Sequence, residues 1–433
     1  MRPLTSAVAL PDSDSTLPPV AVTPFPASAT HPWIDFRFDV DDLSGADWFL
    51  MGEAMSKCSH LIGSPLRPSV AAELAAVYLA KGVHATTAIE GNTLTEEEVL
   101  QRVKGSNEAL PASREYLGIE ADNIIAAIGE IDEALRSGVV LPLDTNRLKH
   151  LHARVLRGLE DPPENDPGNL RRHNVGVARY SAPDHGQVEE LLDSLFGWLE
   201  QLHTPAAAAP AGRFASTMLR AILAHLYIAW IHPFGNGNGR TARLVEVQIL
   251  AQSGLVPLLS TNLLSDHYNK TREKYYLELE KASATLRPAG FVRYALEGFV
   301  EELRAQVKAV KDHNVRVAWE SYIHEVLNQY KASDAKSRQR RVALVMPSDR
   351  FVSKDEVVML TPRIAADYAR TGERTPARDL NDLVKMGLLE KKGRRYRARL
   401  ERIEAFSSPV AASAEATTAA PSLLDLIADA RSS

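Results

Sequence analysis

Among 433 residues there is one cysteine, Cys58. It excludes a disulfide within the chain and fits a reducing cytoplasm, which is the expected location. No apolar run of transmembrane length stands out, so no membrane partner is expected. The first thirty residues are rich in Pro, Ala, Ser and Thr and lack a basic segment followed by an apolar core, unlike a secretory signal. Charge of one sign is also missing: 50 Lys and Arg face 55 Asp and Glu, a net charge of −5. A surface that coats nucleic acid along its whole length is therefore not expected. Apolar content of 45% is ordinary for a globular protein, and the length suits two or three domains.

The most informative stretch runs from Ile231 through His232, Pro233, Phe234, Gly235, Asn236, Gly237, Asn238, Gly239, Arg240, Thr241 and Ala242 to Arg243. Apolar helical runs lead into it and out of it. Its glycines let backbone amides turn toward a ligand, and the helix it opens offers free N–H groups to an anion. Arg240 and Arg243 share a face at that helix start, where cations oppose the helix dipole. They make sense if an anion such as a polyphosphate arrives. No strand precedes the glycines, against a dinucleotide fingerprint, and no lysine follows them, against a Walker-type loop. A glycine-rich turn with solvated arginines is the bland alternative.

This string resembles the signature of the Fic family, commonly written HPFx(D/E)GNGRxxR, with Asn236 at the acidic position. A second motif lies upstream, where Thr86, Glu90 and Gly91 match the (S/T)xxxE(G/N) pattern of Fic proteins with an N-terminal inhibitory helix. A carboxylate at a helix C-terminus opposes the dipole and is better placed beside a cation. The resemblance implies an ion pair between Glu90 and Arg243, set where a nucleotide γ-phosphate is to be held.

The resemblance implies an all-α fold: a Fic-type helical bundle with a small β-hairpin flap, an N-terminal inhibitory region and a C-terminal winged helix-turn-helix. The expected divisions are a disordered segment 1–31, a helical region 32–112, a catalytic core 113–310, a helical linker 311–344, a winged-helix-like domain 345–403 and a disordered tail 404–433. Helical spacing covers 70–89, and Thr95 with Glu98 forms a capping box for the next helix. Helices are also expected over 115–137, 143–156, 188–202, 214–231, 268–279 and 291–310, with a linker over 203–212. Pro167, Gly168, Asn169, Leu170 and Arg171 resemble the family's PGxxR element. The hairpin after it would hold a target's main chain as an added strand, through Val177, Ala178, Arg179, Tyr180 and Ser181. His225 reads as a satisfied core histidine. Tyr275 and Tyr276 fall where the family has paired tyrosines near the adenine.

Residues 334–400 hold 17 Lys and Arg against 9 Asp and Glu, in a chain that is net acidic. Thr375 reads as an N-cap with Pro376 in the first helical position, and Arg378 and Lys385 as exposed. A glycine-containing basic wing follows. DNA contact and protein contact remain equal readings of this segment.

Fic enzymes mostly transfer AMP from ATP to a protein Ser, Thr or Tyr hydroxyl, releasing pyrophosphate, and the resemblance implies the same activity here, on this chain itself included. In this chain His232 would act as the base. Gly235, Gly237, Asn238 and Gly239 would cradle phosphates, with Arg240 on the β- and Arg243 on the γ-phosphate. Mg²⁺ is expected, weakly held because Asn236 replaces the usual carboxylate. AMP removal from a modified protein, transfer of UMP or phosphocholine, and a nucleotide-sensing DNA regulator remain alternatives. Phosphate transfer is disfavoured by Gly237 and Arg240, where that kind has Ala and Lys. A homodimer is left open.

Overall fold

The computed structural model describes residues 25–106, 109–159, 166–177, 180–202, 204 and 208–403. In chain order the helices are α1 (Gly45–Gly63), α2 (Pro68–Ile89), α3 (Glu96–Val103), α4 (Glu115–Arg136) and α5 (Thr145–Val155). A hairpin, β1 (Gly176–Val177) and β2 (Tyr180–Ser181), precedes α6 (Val188–Gln201), α7 (Pro210–Ile231) and α8 (Asn238–Gln252). Then come α9 (Leu263–Lys270), α10 (Arg272–Thr285), the 40-residue α11 (Ala289–Asn328) and α12 (Asp334–Val345). The last elements are β3 (Val352–Ser353), α13 (Lys354–Val358), α14 (Pro362–Ala369), α15 (Thr375–Lys385), β4 (Leu389–Lys392) and β5 (Arg395–Ala398). The fold is helical, with the hairpin and one small antiparallel sheet of order β3-β5-β4.

Two apolar cores divide the described residues. The larger gathers α1 to α11, with α7 and α8 at its centre, and the smaller gathers the last third of α11 with α12 to β5. One continuous helix thus serves both: Phe291, Phe299 and Leu303 face the first core, and Trp319, Ile323 and Leu327 the second. The boundary expected at residue 310 falls inside α11. Apolar residues at helical spacing continue past Val310, so nothing local stops the helix there.

Several expectations are corrected. α7 meets the length and composition of a membrane span, but 83% of its most apolar window is buried in the protein, as in a core helix. It begins at Pro210, inside the expected linker, because proline suits a first helical position. The helix expected over 268–279 is divided between α9 and α10. Thr375 is the first residue of α15, whose N-cap is Arg374 without a capping side chain. Residues 25–31, expected as disordered, pack on the core: Ser28 and His31 are buried, and the His31 ring meets Trp33 edge-on. Residues 1–24 and 404–433 lie outside the described residues. The Thr95–Glu98 capping box forms at α3.

Candidate functional site

The site lies at the turn between α7 and α8. α7 stops because Pro233 disfavours helical backbone at the residue before it. His232 takes the left-handed conformation instead, at φ 49° and ψ 62°, while its N–H still bonds Ile228 O at 2.9 Å. This is an uncommon conformation for a residue with a side chain. The imidazole Nδ1 lies 3.4 Å from Ala229 O and donates to it, which leaves Nε2 as the ring's acceptor. Burial is the main cause that pushes the His232 pKa down to about 4, with Arg171 adding to the shift and Glu90 opposing it. At neutral pH the ring is uncharged and able to take a proton.

Asn238 staples the turn. Its Oδ1 accepts from Phe234 N and its Nδ2 donates to Phe234 O, both at 2.9 Å. Both ends of the Asn238 side-chain amide are thus engaged within the loop. Backbone N–H groups at the start of α8 are left to face an anion. Gly237, at φ 73°, makes the left-handed entry into α8, and Gly235 is half-buried before it. Asn236 is exposed, and its Oδ1 accepts from Gly237 N at 2.6 Å.

Two residues outside the motif hold this turn from below. His152 on α5 is fully buried and stacks flat on Phe234 at 3.6 Å. Its Nδ1 accepts from Gly168 N at 3.0 Å, so its Nε2 carries the proton and donates to Asn236 O at 2.9 Å. Burial pushes its pKa down to about 4. Arg171 donates through Nε to His232 O at 2.8 Å, through Nη1 to His173 O at 3.0 Å and through Nη2 to Pro183 O. It ties the α7–α8 turn to the hairpin. The resemblance to the PGxxR element marked Arg171, whereas nothing local marked His152.

Above the turn lies the end of α2. Gly91, at φ 98°, closes the helix: its N–H bonds Ala88 O and that of Asn92 bonds Thr87 O. Glu90 then extends toward α8. Arg243 Nη2 donates to Glu90 Oε1 at 2.7 Å and to Thr86 O at 2.9 Å, and Nε to Thr86 Oγ1 at 2.7 Å. Arg243 is only 1% exposed. Burial resists ionisation of Glu90, but Arg243, then Arg240 and His232, outweigh it and hold the carboxyl below the usual range. Gly239 lets this happen, since a methyl group there would collide with Glu90 Oε1. The carboxylate therefore occupies the N-terminal end of α8. Arg240, also buried, donates through Nη1 to Glu120 Oε1 on α4 at 2.6 Å. Arg240 Nε and Arg243 Nη1 are buried without a hydrogen-bond partner among the described residues.

The tyrosine pair separates. Tyr275 is buried, stacks on Tyr268 at 4.8 Å and bonds His225 Nε2 through its hydroxyl at 2.9 Å. It faces the core. Tyr276 is half exposed, with its hydroxyl 3.5 Å from Ile89 O at the end of α2.

In the flap, Val175 and Ala182 form a hydrogen-bonded pair, so Gly176 and Ser181 form the non-bonded pair next to it. The Ser181 carbonyl thus points away from β1, where it accepts from His31 Nε2 at 2.7 Å. The Tyr180 hydroxyl donates to Trp230 O at 2.6 Å. Ala178 and Arg179 lie outside the described residues, and Val177 is described only as part of β1.

Residues 142–250 match the model of the family described as Fic/DOC. Protein adenylyltransferase fic-1 of Caenorhabditis elegans is 30% identical over 230 residues, 53% of this chain and 41% of that protein. Protein adenylyltransferase Fic of Drosophila virilis is 29% identical over 235 residues, 53% of this chain and 43% of that protein. The chain thus spans less than half the length of these curated relatives. In overall fold it is similar to a solved Fic family protein from Desulfovibrio desulfuricans G20, with a TM-score of 0.51 at 21% identity, over 82% of this chain and 97% of that one. The α7–α8 pair and the His232-to-Arg243 turn between them lie within residues 142–250, the stretch of this chain that is similar to the Fic/DOC family.

Proposed function

We propose that this protein transfers AMP from ATP to a Ser, Thr or Tyr hydroxyl of a protein, itself included, and that Glu90 restrains the reaction. The observation that carries the reading is the Glu90 carboxylate on Arg243 at the start of α8, beside a neutral His232. An internal anion there competes with a polyphosphate for the same donors. In the transfer, the target oxygen attacks the α-phosphorus and its proton passes to His232 Nε2. The bond from the α-phosphorus to the bridging oxygen breaks, and pyrophosphate leaves. Its charge is met by backbone N–H groups of α8 and by Arg240 and Arg243. Fixed donors of this kind need no rearrangement as charge develops.

Among the described residues no group of three or more His, Cys, Asp or Glu could hold a metal, and the Asn236 side chain is turned to its own loop. The residues do not form a metal cage. Mg²⁺ would enter with ATP, held mainly by phosphate oxygens. A target strand would add to the outer edge of β1, because His31 already takes the outward carbonyl of β2 at Ser181.

The test is intact-mass measurement of Glu90→Gly with ATP, with and without EDTA. One or more AMP adducts are expected with metal and none after chelation, and His232→Ala in the same background is expected to gain none. Adducts on the His232→Ala protein would remove His232 as the base, and adducts that survive chelation would remove the metal.

A second reading concerns α12 to β5, taken as a winged helix. Arg374, Arg378 and Lys385 are exposed along α15, and Lys391, Lys392, Arg394 and Arg395 are exposed on the β4–β5 hairpin. This basic face supports duplex DNA as a partner.

A further inference from the structure

Glu90 answers for one arginine, but α8 begins with two. Arg240 and Arg243 lie one turn apart, both buried, at the helix end where cations are least favoured. A guanidinium taken from water needs an anion, because an unpaired buried charge is costly. Arg240 finds its anion in Glu120, a residue of α4 that belongs to neither sequence motif. The second carboxylate oxygen of Glu120 accepts from Asn92 Nδ2 at 2.8 Å. Asn92 also donates to Leu117 O at 3.0 Å and accepts from Leu94 N at 3.0 Å, so its amide is fixed in one orientation.

Asn92 stands two residues after Glu90, in the turn that Gly91 closes. The contacts therefore form a ring: Arg243 to Glu90, along the turn to Asn92, from Asn92 to Glu120, and from Glu120 back to Arg240 on the same helix. In the resting protein each arginine has one internal carboxylate, and the two carboxylates are joined through three consecutive residues.

We propose that Glu120 is a second resident carboxylate of this site, which holds Arg240 as Glu90 holds Arg243, with Asn92 coupling the two so that polyphosphate must displace both. This rests on the reading that the arginines receive nucleotide phosphates. Charge makes Glu120 a competitor for the β-phosphate, and diphosphates and triphosphates meet it whereas a monophosphate does not. Loss of the turn at residues 90–92 would free both arginines, and a nucleotide that engages Arg240 would loosen the turn that carries Glu90.

The experiment is calorimetric titration of the full chain with AMP, ADP and a non-hydrolysable ATP analogue. Glu120→Gln removes the charge and keeps one acceptor oxygen, enough for Arg240 or Asn92 but not both. It is expected to bind ADP and the ATP analogue about tenfold more tightly, the effect of one charge-assisted bond, with AMP unchanged. The gains from Glu120→Gln and Glu90→Gly are expected to combine to less than their product, and adding Asn92→Ala should make them independent. If Glu90→Gly tightens the ATP analogue while Glu120→Gln leaves ADP unchanged or weaker, Glu120 only orients Arg240 and the proposal fails alone. If no variant binds nucleotide, the nucleotide reading itself fails. Should Glu120→Gln not fold, Asn92→Ala alone decides: ADP binding is expected to tighten, and unchanged binding overturns the coupling.

Discussion

Replacing Glu90 by glycine should make the protein less stable and a better nucleotide binder at once. The carboxylate makes a 2.7 Å charge-assisted bond to a guanidinium that is 2% exposed by side chain, and is itself 27% exposed. A hydrogen bond to a charged group contributes about 1.5–3 kcal/mol. If ATP must displace that bond to reach Arg243, its removal should tighten binding by roughly 10- to 150-fold. Stability moves the other way. Breaking a fully buried ion pair costs about 3–5 kcal/mol, and exposure of Glu90 reduces this to about 1–3 kcal/mol. Arg243 keeps its two bonds to Thr86, which limits the loss. The assay pairs titration calorimetry, using a non-hydrolysable ATP analogue, with thermal unfolding in its presence and absence. The melting temperature should fall without nucleotide and recover more than wild type gains when the analogue is added. Glu90→Gln, which keeps the shape and loses the charge, should fall between the two. An analogue that binds Glu90→Gly no more tightly than wild type would refute competition at Arg243.

Two further outcomes follow from the same geometry. His152 is neutral when folded, with a pKa near 4 against an ordinary value of 6.5, so the unfolded chain takes up its proton first as pH falls. Stability should therefore drop from about pH 6.5 to pH 4, by roughly 3 kcal/mol from this residue. Urea unfolding at pH 7 and pH 4.5 should show a smaller difference in His152→Gln, and an equal difference would remove His152 as a source. For the basic face, Arg378→Glu with Arg394→Glu should abolish salt-sensitive binding of duplex DNA in a mobility-shift assay. Binding that survives both changes would move the partner elsewhere.

Much of the site was legible in order along the chain. His232, the three glycines and the two arginines form a string that makes sense if an anion arrives at a helix start. The end of α2 was legible as well, because Gly91 and the Thr95–Glu98 box mark where one helix stops and the next begins. These are local signals, carried by residues within one turn of each other. Lengths of helices were less legible: α11 passes from one core to the other without any residue to interrupt it, and α9 and α10 divide at Thr271 without a proline or glycine.

Direction of side chains was decided only in three dimensions. Asn238 and Tyr275 fall at positions that the family resemblance ties to the nucleotide, and only the fold shows that Asn238 holds Phe234 with both amide ends and that the Tyr275 hydroxyl meets His225. Glu120 and His152 carry no local mark, since their roles come from α4 and α5 packing beside α8 and the turn before it. The sequence by itself determined that two arginines would wait at the start of a helix. Tertiary structure decided that two carboxylates, 30 residues apart in the chain, would meet them there, because buried cations must be neutralised by whatever anion the packed helices bring within reach.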